Sequence, residues 1–195
     1  MRGPDERAGR HRRVAPPPAR LPPPSLCAFA GATIAGMTKP AGGRTARADD
    51  YDDIVTAVDA WWGRPVSASL PRLFLDHFWS TSRVIEDEQG LAAFLVAFVS
   101  PAERQVGYVH FVGVRPDRRR GGLARALYEE FAGYALEHGC TELRAITAPG
   151  NDASIRFHQR IGFTVSEPVV DHNGPGRPMV IFRRELTAAA EQQAT

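Results

Sequence analysis

The stretch Val112-Gly-Val-Arg-Pro-Asp-Arg-Arg-Arg-Gly-Gly-Leu-Ala-Arg-Ala-Leu127 constrains this chain more than any other. An apolar strand, Val106–Val114, runs into a basic turn that holds Gly121 and Gly122. An amphipathic helix follows at once, from about Gly122 to His138, with Leu123, Leu127, Phe131 and Ala135 as its buried stripe. A strand–turn–helix junction leaves backbone N–H groups unpaired at the helix start, where the macrodipole favours an anion. The two glycines allow close backbone approach, and Arg118, Arg119 and Arg120 add positive charge. A pyrophosphate is the expected guest. The Gly-Lys-Ser/Thr of a Walker A loop and the G-x-G-x-x-G dinucleotide fingerprint are both absent.

The surrounding pattern predicts a mixed α/β sheet. Arg44–Arg47 reads as a short strand. A helix capped at Asp49 or Asp50 follows, with Tyr51, Ile54, Val55, Val58, Trp61 and Trp62 on one face and Gly63 as its stop. Pro71 opens a second short helix. Arg83–Glu86, Leu91–Val99 and Val106–Val114 read as strands, and Leu143–Thr147 as another after the helix stop at Gly139. Asn151 caps a helix through Arg160 that ends at Gly162. Phe163–Val165 and Met179–Phe182 are the last strands, joined by the Gly/Pro loop Asp171–Pro178.

Two ordered motifs carry a family resemblance. Arg119-x-x-Gly122-x-Ala124, preceded by Val114-x-Pro116, closely resembles the acetyl-CoA signature of the GNAT acetyltransferase superfamily. Asn151-x-x-Ser154-x-x-Phe157-His158-x-x-x-Gly162-Phe163 resembles its later motif, in the same order and separation. The resemblance spans about Arg44 to Leu186. It implies a central sheet of six or seven strands, splayed at a bulge between the fourth and fifth, here Val106–Val114 and Leu143–Thr147. It also implies acetyl-CoA in the wedge. The pantetheine arm would pair with the backbone of Val112, Gly113 and Val114. The pyrophosphate would meet the amides of Arg119, Arg120, Gly121, Gly122, Leu123 and Ala124. Asn151, Phe157 and His158 would flank the arm. No metal is implied.

The implied reaction is direct attack of a primary amine on the thioester in a ternary complex. It needs a proton acceptor, close approach, a donor for the developing oxyanion near Val112, and help for the departing thiolate. A tyrosine often gives that help in the family; here the position is His158. Its ring can serve as the acid or merely fill space against the arm. Two residues are candidates for the base: His110, which strict alternation puts on the face of Val112 and Val114, and Glu86, at the end of an earlier strand. For both, a structural role is the competing account. Trp61, Trp62 and the loop near Arg64 are expected to wall the acceptor site. Asp76, Asp171 and His172 are candidates to meet a cationic amine. The acceptor itself, whether small amine, amino acid, antibiotic or protein lysine, is not encoded legibly.

Composition sets the remaining bounds. The chain of 195 residues suits one domain, and 43% apolar with 24% charged content is ordinary for a globular protein. The Pro- and Arg-rich residues 1–43 are expected to be disordered, 44–187 to form the acetyltransferase domain, and 188–195 to be a flexible tail. Leu26–Ala35 faintly resembles a secretory signal, but the proline triplets before it fit badly. Met37 is an alternative first residue. Two distant cysteines, Cys27 and Cys140, argue against a disulfide framework and for a reducing cytoplasm. No segment has the length of a membrane span. The formal net charge of +2 and the lack of stacking aromatics beside Arg115–Arg120 argue against a nucleic-acid partner. An idle acyl-CoA sensor of the same fold is the other alternative. Acetyl-CoA and an amine are the expected partners, with a homodimer left open.

Overall fold

The structure, a computed structural model, describes residues 43–187. The expectations for the N-terminal extension, Cys27, Met37 and the tail 188–195 lie outside the described residues. The elements run β1 (Arg44–Thr45), α1 (Asp50–Trp62), α2 (Leu73–Phe78), β2 (Arg83–Asp87), β3 (Gly90–Val99), β4 (Val106–Val114), α3 (Leu123–Glu137), β5 (Glu142–Thr147), α4 (Asp152–Arg160), β6 (Thr164–Val165) and β7 (Val180–Glu185). Short 3-10 turns at Ser67–Ser69, Trp79–Thr81 and Pro116–Arg118 were not legible in the sequence. The strands form one seven-stranded sheet in the order β1-β2-β3-β4-β5-β7-β6. All neighbouring pairs are antiparallel except β4 and β5. The expected mixed sheet is thus the observed one.

Helices cover both faces. β3 lies inside the sheet between β2 and β4, and its Ala92–Ala97 run is fully buried, as suits a strand covered on both sides. On one face α3 lays down Leu123, Leu127, Phe131 and Ala135, the stripe its spacing predicts, together with Tyr128 and Ala132. On the other, Ile54 and Val58 of α1 and Leu75 of α2 meet Val84, Phe94 and Val96. Each such leucine, isoleucine, valine or phenylalanine contributes about 1.5–3 kcal/mol when withdrawn from water. Gly63 closes α1 in the left-handed region at φ 65°.

Two departures from regular pairing shape the centre of the sheet. β4 and β5 pair only through Val106↔Glu142, Gly107↔Leu143 and Tyr108↔Arg144. Beyond that point β4 stays with β3 and β5 with β7, so the parallel pair opens into a wedge. The second departure is a bulge: Val96 faces Phe111 while Ala97 faces Val109, which leaves His110 as the extra residue.

The bulge corrects the alternation argument for His110. Val109, Val112 and Val114 belong to the α3 face. Phe111 packs with the α1/α2 face, and the His110 ring stacks on Phe74 of α2 at 3.8 Å between centroids. His110 therefore does not share a face with Val112 and Val114. One inserted residue reverses the side-chain sequence beyond it, and no periodicity rule applied to the sequence alone detects that.

Candidate active site

The wedge is a cavity of about 360 Å³. Val109, His110, Phe111 and Val112 form one wall. Ala145, Ile146 and Thr147 form the opposite one. Tyr128 of α3 and Asn151, Ser154 and His158 at α4 close one side. Trp62 at the end of α1 and Arg64, Val66 and Ser69 of the α1–α2 connection close the other, with Asn173 and Met179 from the loop before β7. A larger open hollow of about 560 Å³ lies between α3 and β7. Its Arg184 is already paired with Glu129 at 2.8 Å, and none of the motif residues named above as cofactor contacts lines it.

The turn before α3 is built to leave amides free. Arg120 and Gly122 both adopt positive φ, 67° and 82°, and Gly122 is the N-cap without any side-chain cap bond. Among the described residues, the amides of Arg120, Gly121, Gly122, Leu123 and Ala124 find no backbone acceptor. Left-handed positions on either side of Gly121 at a helix start form a concave row of donors suited to an anion. Arg119 is a correction. Its amide bonds Pro116 O at 3.4 Å. Its guanidinium bonds Val114 O at 3.2 Å and also Trp61 O, so it clamps α1 to the end of β4.

Arg115 and Arg118 are structural as well. Arg115 pairs with Asp87 at 2.7 Å and Asp117 at 2.8 Å, and Arg118 with Asp87 at 2.6 Å. These ion pairs tie the turn to the β2–β3 hairpin and hold Asp87 below the usual carboxylate range, with Arg115 as the main cause. With Arg115 and Arg118 paired to internal carboxylates and Arg119 bound to backbone carbonyls, the run is a poor phosphate-backbone track.

Along β4, Arg115 N bonds Ala92 O at 2.9 Å. The alternation of backbone polarity then turns the N–H and C=O of Val112 and Val114 away from β3, with the Val114 carbonyl taken by Arg119. Gly113 has a packing reason of its own. A Cβ there would lie 2.4 Å from Cε1 of the fully buried Phe94.

His158 is buried, at 4% exposure. Its Nδ1 lies 2.8 Å from Ser154 O, which can only accept, so Nδ1 carries the hydrogen. Its Nε2 then accepts from the Tyr128 hydroxyl at 2.8 Å. The ring stacks on Phe182 at 3.9 Å. Burial pushes its pKa down to about 4, against a weaker upward pull from the Ser154 carbonyl. At neutral pH the imidazole is therefore uncharged with its one N–H spent, which removes the protonated His158 expected as an acid. Burial raises the pKa of Tyr128, so that hydroxyl keeps its proton. Tyr128 is the residue sequence reasoning missed. Its only signal is a tyrosine on the buried side of α3, paired with the absence of one at position 158.

His110 is arranged in the opposite sense. Its Nε2 donates to Ser69 O at 2.8 Å, which leaves the Nδ1 lone pair bare. Burial lowers its pKa below the ordinary 6.5, with a smaller opposing effect from Ser69. Glu86 is not part of the lining. It accepts from Arg44 Nε at 2.8 Å, and that pair lowers its pKa. Asn151 caps α4 through Ser154 N at 3.3 Å and donates to Thr147 Oγ1 at 2.9 Å. Phe157 lies outside the lining and packs edge-on against Tyr128 at 5.7 Å. Trp61 leans on Phe94 instead of the cavity. Asp76, Asp171 and His172 are also outside the lining. Among the described residues no group of three or more His, Cys, Asp or Glu could hold a metal, and no helix is long and apolar enough to cross a membrane.

A mixed sheet opened between its one parallel pair, with helices on both faces and a glycine turn leading into α3, defines the acyltransferase fold of the GNAT class. The model of the acetyltransferase (GNAT) family matches residues 50–163. The chain belongs to that family. It is 25% identical over 136 residues to an acetyltransferase of Sodalis glossinidius (strain morsitans), covering 65% of this chain and 89% of the relative. It is 27% identical over 89 residues to the L-2,4-diaminobutyric acid acetyltransferase of Halalkalibacterium halodurans, where it spans 46% of this chain and only 47% of that relative. A Salmonella typhimurium structure solved with its cofactor acetyl-CoA superposes with a TM-score of 0.57 at 20% identity, covering 78% of this chain and 97% of that one.

Proposed function

We propose that the protein transfers the acetyl group of acetyl-CoA to a primary amine, in a ternary complex inside the wedge. The observation that carries this reading is a pair of unpaired backbone donor sets, the row Arg120–Ala124 and the edge of β4 at Val112 and Val114 that turns away from β3. The pattern fits acetyl-CoA. The amides of Arg120 to Ala124 would hold its pyrophosphate, and the backbone of Val112 and Val114 would pair with its amide-bearing arm. Asn151 and His158 flank the same cavity. When bound, the thioester supplies the activated acetyl carbon.

The chain's own residues then divide the proton work. His110 is uncharged at neutral pH with Nδ1 free, and accepts the proton the attacking amine gives up. The Val112 N–H is placed to receive the charge that develops on the carbonyl oxygen. As the sulfur departs, the Tyr128 hydroxyl turns its single hydrogen from His158 Nε2 to it and stabilises it by a hydrogen bond, since the raised pKa of the phenol opposes full proton transfer. His158 is a positioning residue whose Nε2 accepts from the Tyr128 hydroxyl until then.

Thiol release from acetyl-CoA across a panel of primary amines tests the reading. Turnover is the expected result. Tight acetyl-CoA binding with no thiol release on any amine would instead make the protein an acyl-CoA sensor. With a competent amine, His110→Gln preserves the bond to Ser69 O but removes the base. Its kcat is expected to fall on the order of 10²-fold or more, with acetyl-CoA Kd unchanged. The acid limb of the wild-type pH profile, which lies below the ordinary histidine value because burial depresses His110, should vanish with it. Tyr128→Phe keeps the ring packing and should lower kcat by roughly 10²-fold if the phenol touches the sulfur. An unchanged kcat would remove it from the mechanism.

A further inference from the structure

The lining of the cavity contains one charged side chain, and it is an arginine. Arg64 follows the left-handed cap of α1 at Gly63. No aspartate or glutamate lines the cavity among the described residues. The connection that carries Arg64 is fixed by Asp59, whose carboxylate accepts from Val66 N at 2.6 Å, Ser67 N at 2.7 Å and Ser67 Oγ at 2.9 Å. These donors engage the nearby negative charge, and Arg64 itself makes no hydrogen bond, ion pair or ring contact with any described residue. The other groups on that side are neutral: Trp62, Ser69, His110, Phe111, Asn173 and Met179.

A primary amine arrives as an ammonium ion. A site for a polycation would be expected to offer carboxylates, because complementary charge sets partner choice. This lining offers the opposite sign. We infer that the acceptor is a small amine that also carries a carboxylate, and that Arg64 receives that carboxylate through its guanidinium fork. The inference rests on the N-acetyltransferase reading and deepens it by naming the substrate class.

Three consequences of the geometry agree. A guanidinium and a carboxylate match as a bidentate pair, so the anionic group fixes the orientation of the substrate. The wedge, at about 360 Å³, lies at the lower end of the roughly 300–1,000 Å³ typical of small-molecule sites and is shared with the acyl donor. That suits an acceptor of amino-acid size. Finally, with no carboxylate among the lining residues, nothing there holds the amine as an ammonium, which favours the neutral nucleophile. In the transfer, the new N–C bond forms as the C–S bond breaks. The electron pair leaves with the sulfur, and the amine proton passes to His110 Nδ1.

The test compares three acceptor sets by thiol release: the common L-amino acids, their carboxamides, and polyamines. The wild type should show kcat/KM about 10- to 100-fold higher for at least one acid than for its amide, the size of a charge-assisted contact. Arg64→Gln should erase that preference by raising KM for the acid, with kcat and the amide's values little changed. Arg64→Lys should restore part of it. A preference for polyamines, or an acid-to-amide ratio that Arg64→Gln leaves alone, overturns the inference while the transferase reading stands. Failure of all three sets with acetyl-CoA bound would overturn both together.

Discussion

Gly122→Val is expected to abolish acetyl-CoA binding while the domain stays folded. Gly122 sits at φ 82°, and a Cβ built there meets nothing within 4 Å. The substitution therefore creates no clash inside the protein. Its structural cost is the left-handed backbone, about 1–2 kcal/mol, or a fall in Tm of about 2–8 °C for a domain this size. The same open space is where a pyrophosphate would approach the amides of Arg120–Ala124. A branched side chain there would displace the anion from two or more charge-assisted donors, and Kd should rise roughly 100-fold or more. Gly122→Ala should show a smaller loss in the same direction. Arg119→Ala should act differently, lowering stability through loss of the Trp61 and Val114 contacts with little effect on Kd. Calorimetric titration with acetyl-CoA and a thermal melt separate the two outcomes. Normal binding by a folded Gly122→Val protein would refute the cradle.

The second large effect concerns acid stability. His158 titrates at about 4 in the folded protein against an ordinary 6.5. Its folded pKa is depressed, so the unfolded chain binds the proton more readily. The stabilising contribution of the neutral ring is complete above pH 6.5 and is lost as pH falls toward 4. The difference amounts to roughly 3 kcal/mol. His158→Gln keeps a polar acceptor near the Tyr128 hydroxyl and has nothing to titrate. Denaturant unfolding at pH 7 and pH 4 should show the wild type losing roughly 3 kcal/mol more than the variant. Equal losses would mean that His158 is protonated without penalty, and the neutral Nδ1–H assignment would fall with it.

The sequence by itself determined the architecture and the place where a glycine turn hands a strand over to a helix. The stripe of Leu123, Leu127, Phe131 and Ala135 recurs at helical spacing. Gly63, Gly139 and Gly162 stand where helices stop, and the Arg119–Ala124 turn stands where a strand hands over to a helix. Those are local signals, set by backbone geometry within a few residues, and the structure reproduces them nearly to the residue. What only the tertiary structure decided depends on contacts between distant segments. The bulge at His110 exists because β4 must stay paired to β3 on both sides of it, and it moved that histidine to the face of Phe74 and Ser69. The pairing of Tyr128 with His158 joins residues on two helices and reversed the reading of His158, from a charged donor to a neutral acceptor. Arg119 and Glu86, both candidates on sequence grounds, are held by the Trp61 carbonyl and by Arg44. Whether a titratable side chain is free or engaged depends on its spatial neighbours, and sequence separation carries almost no information about those.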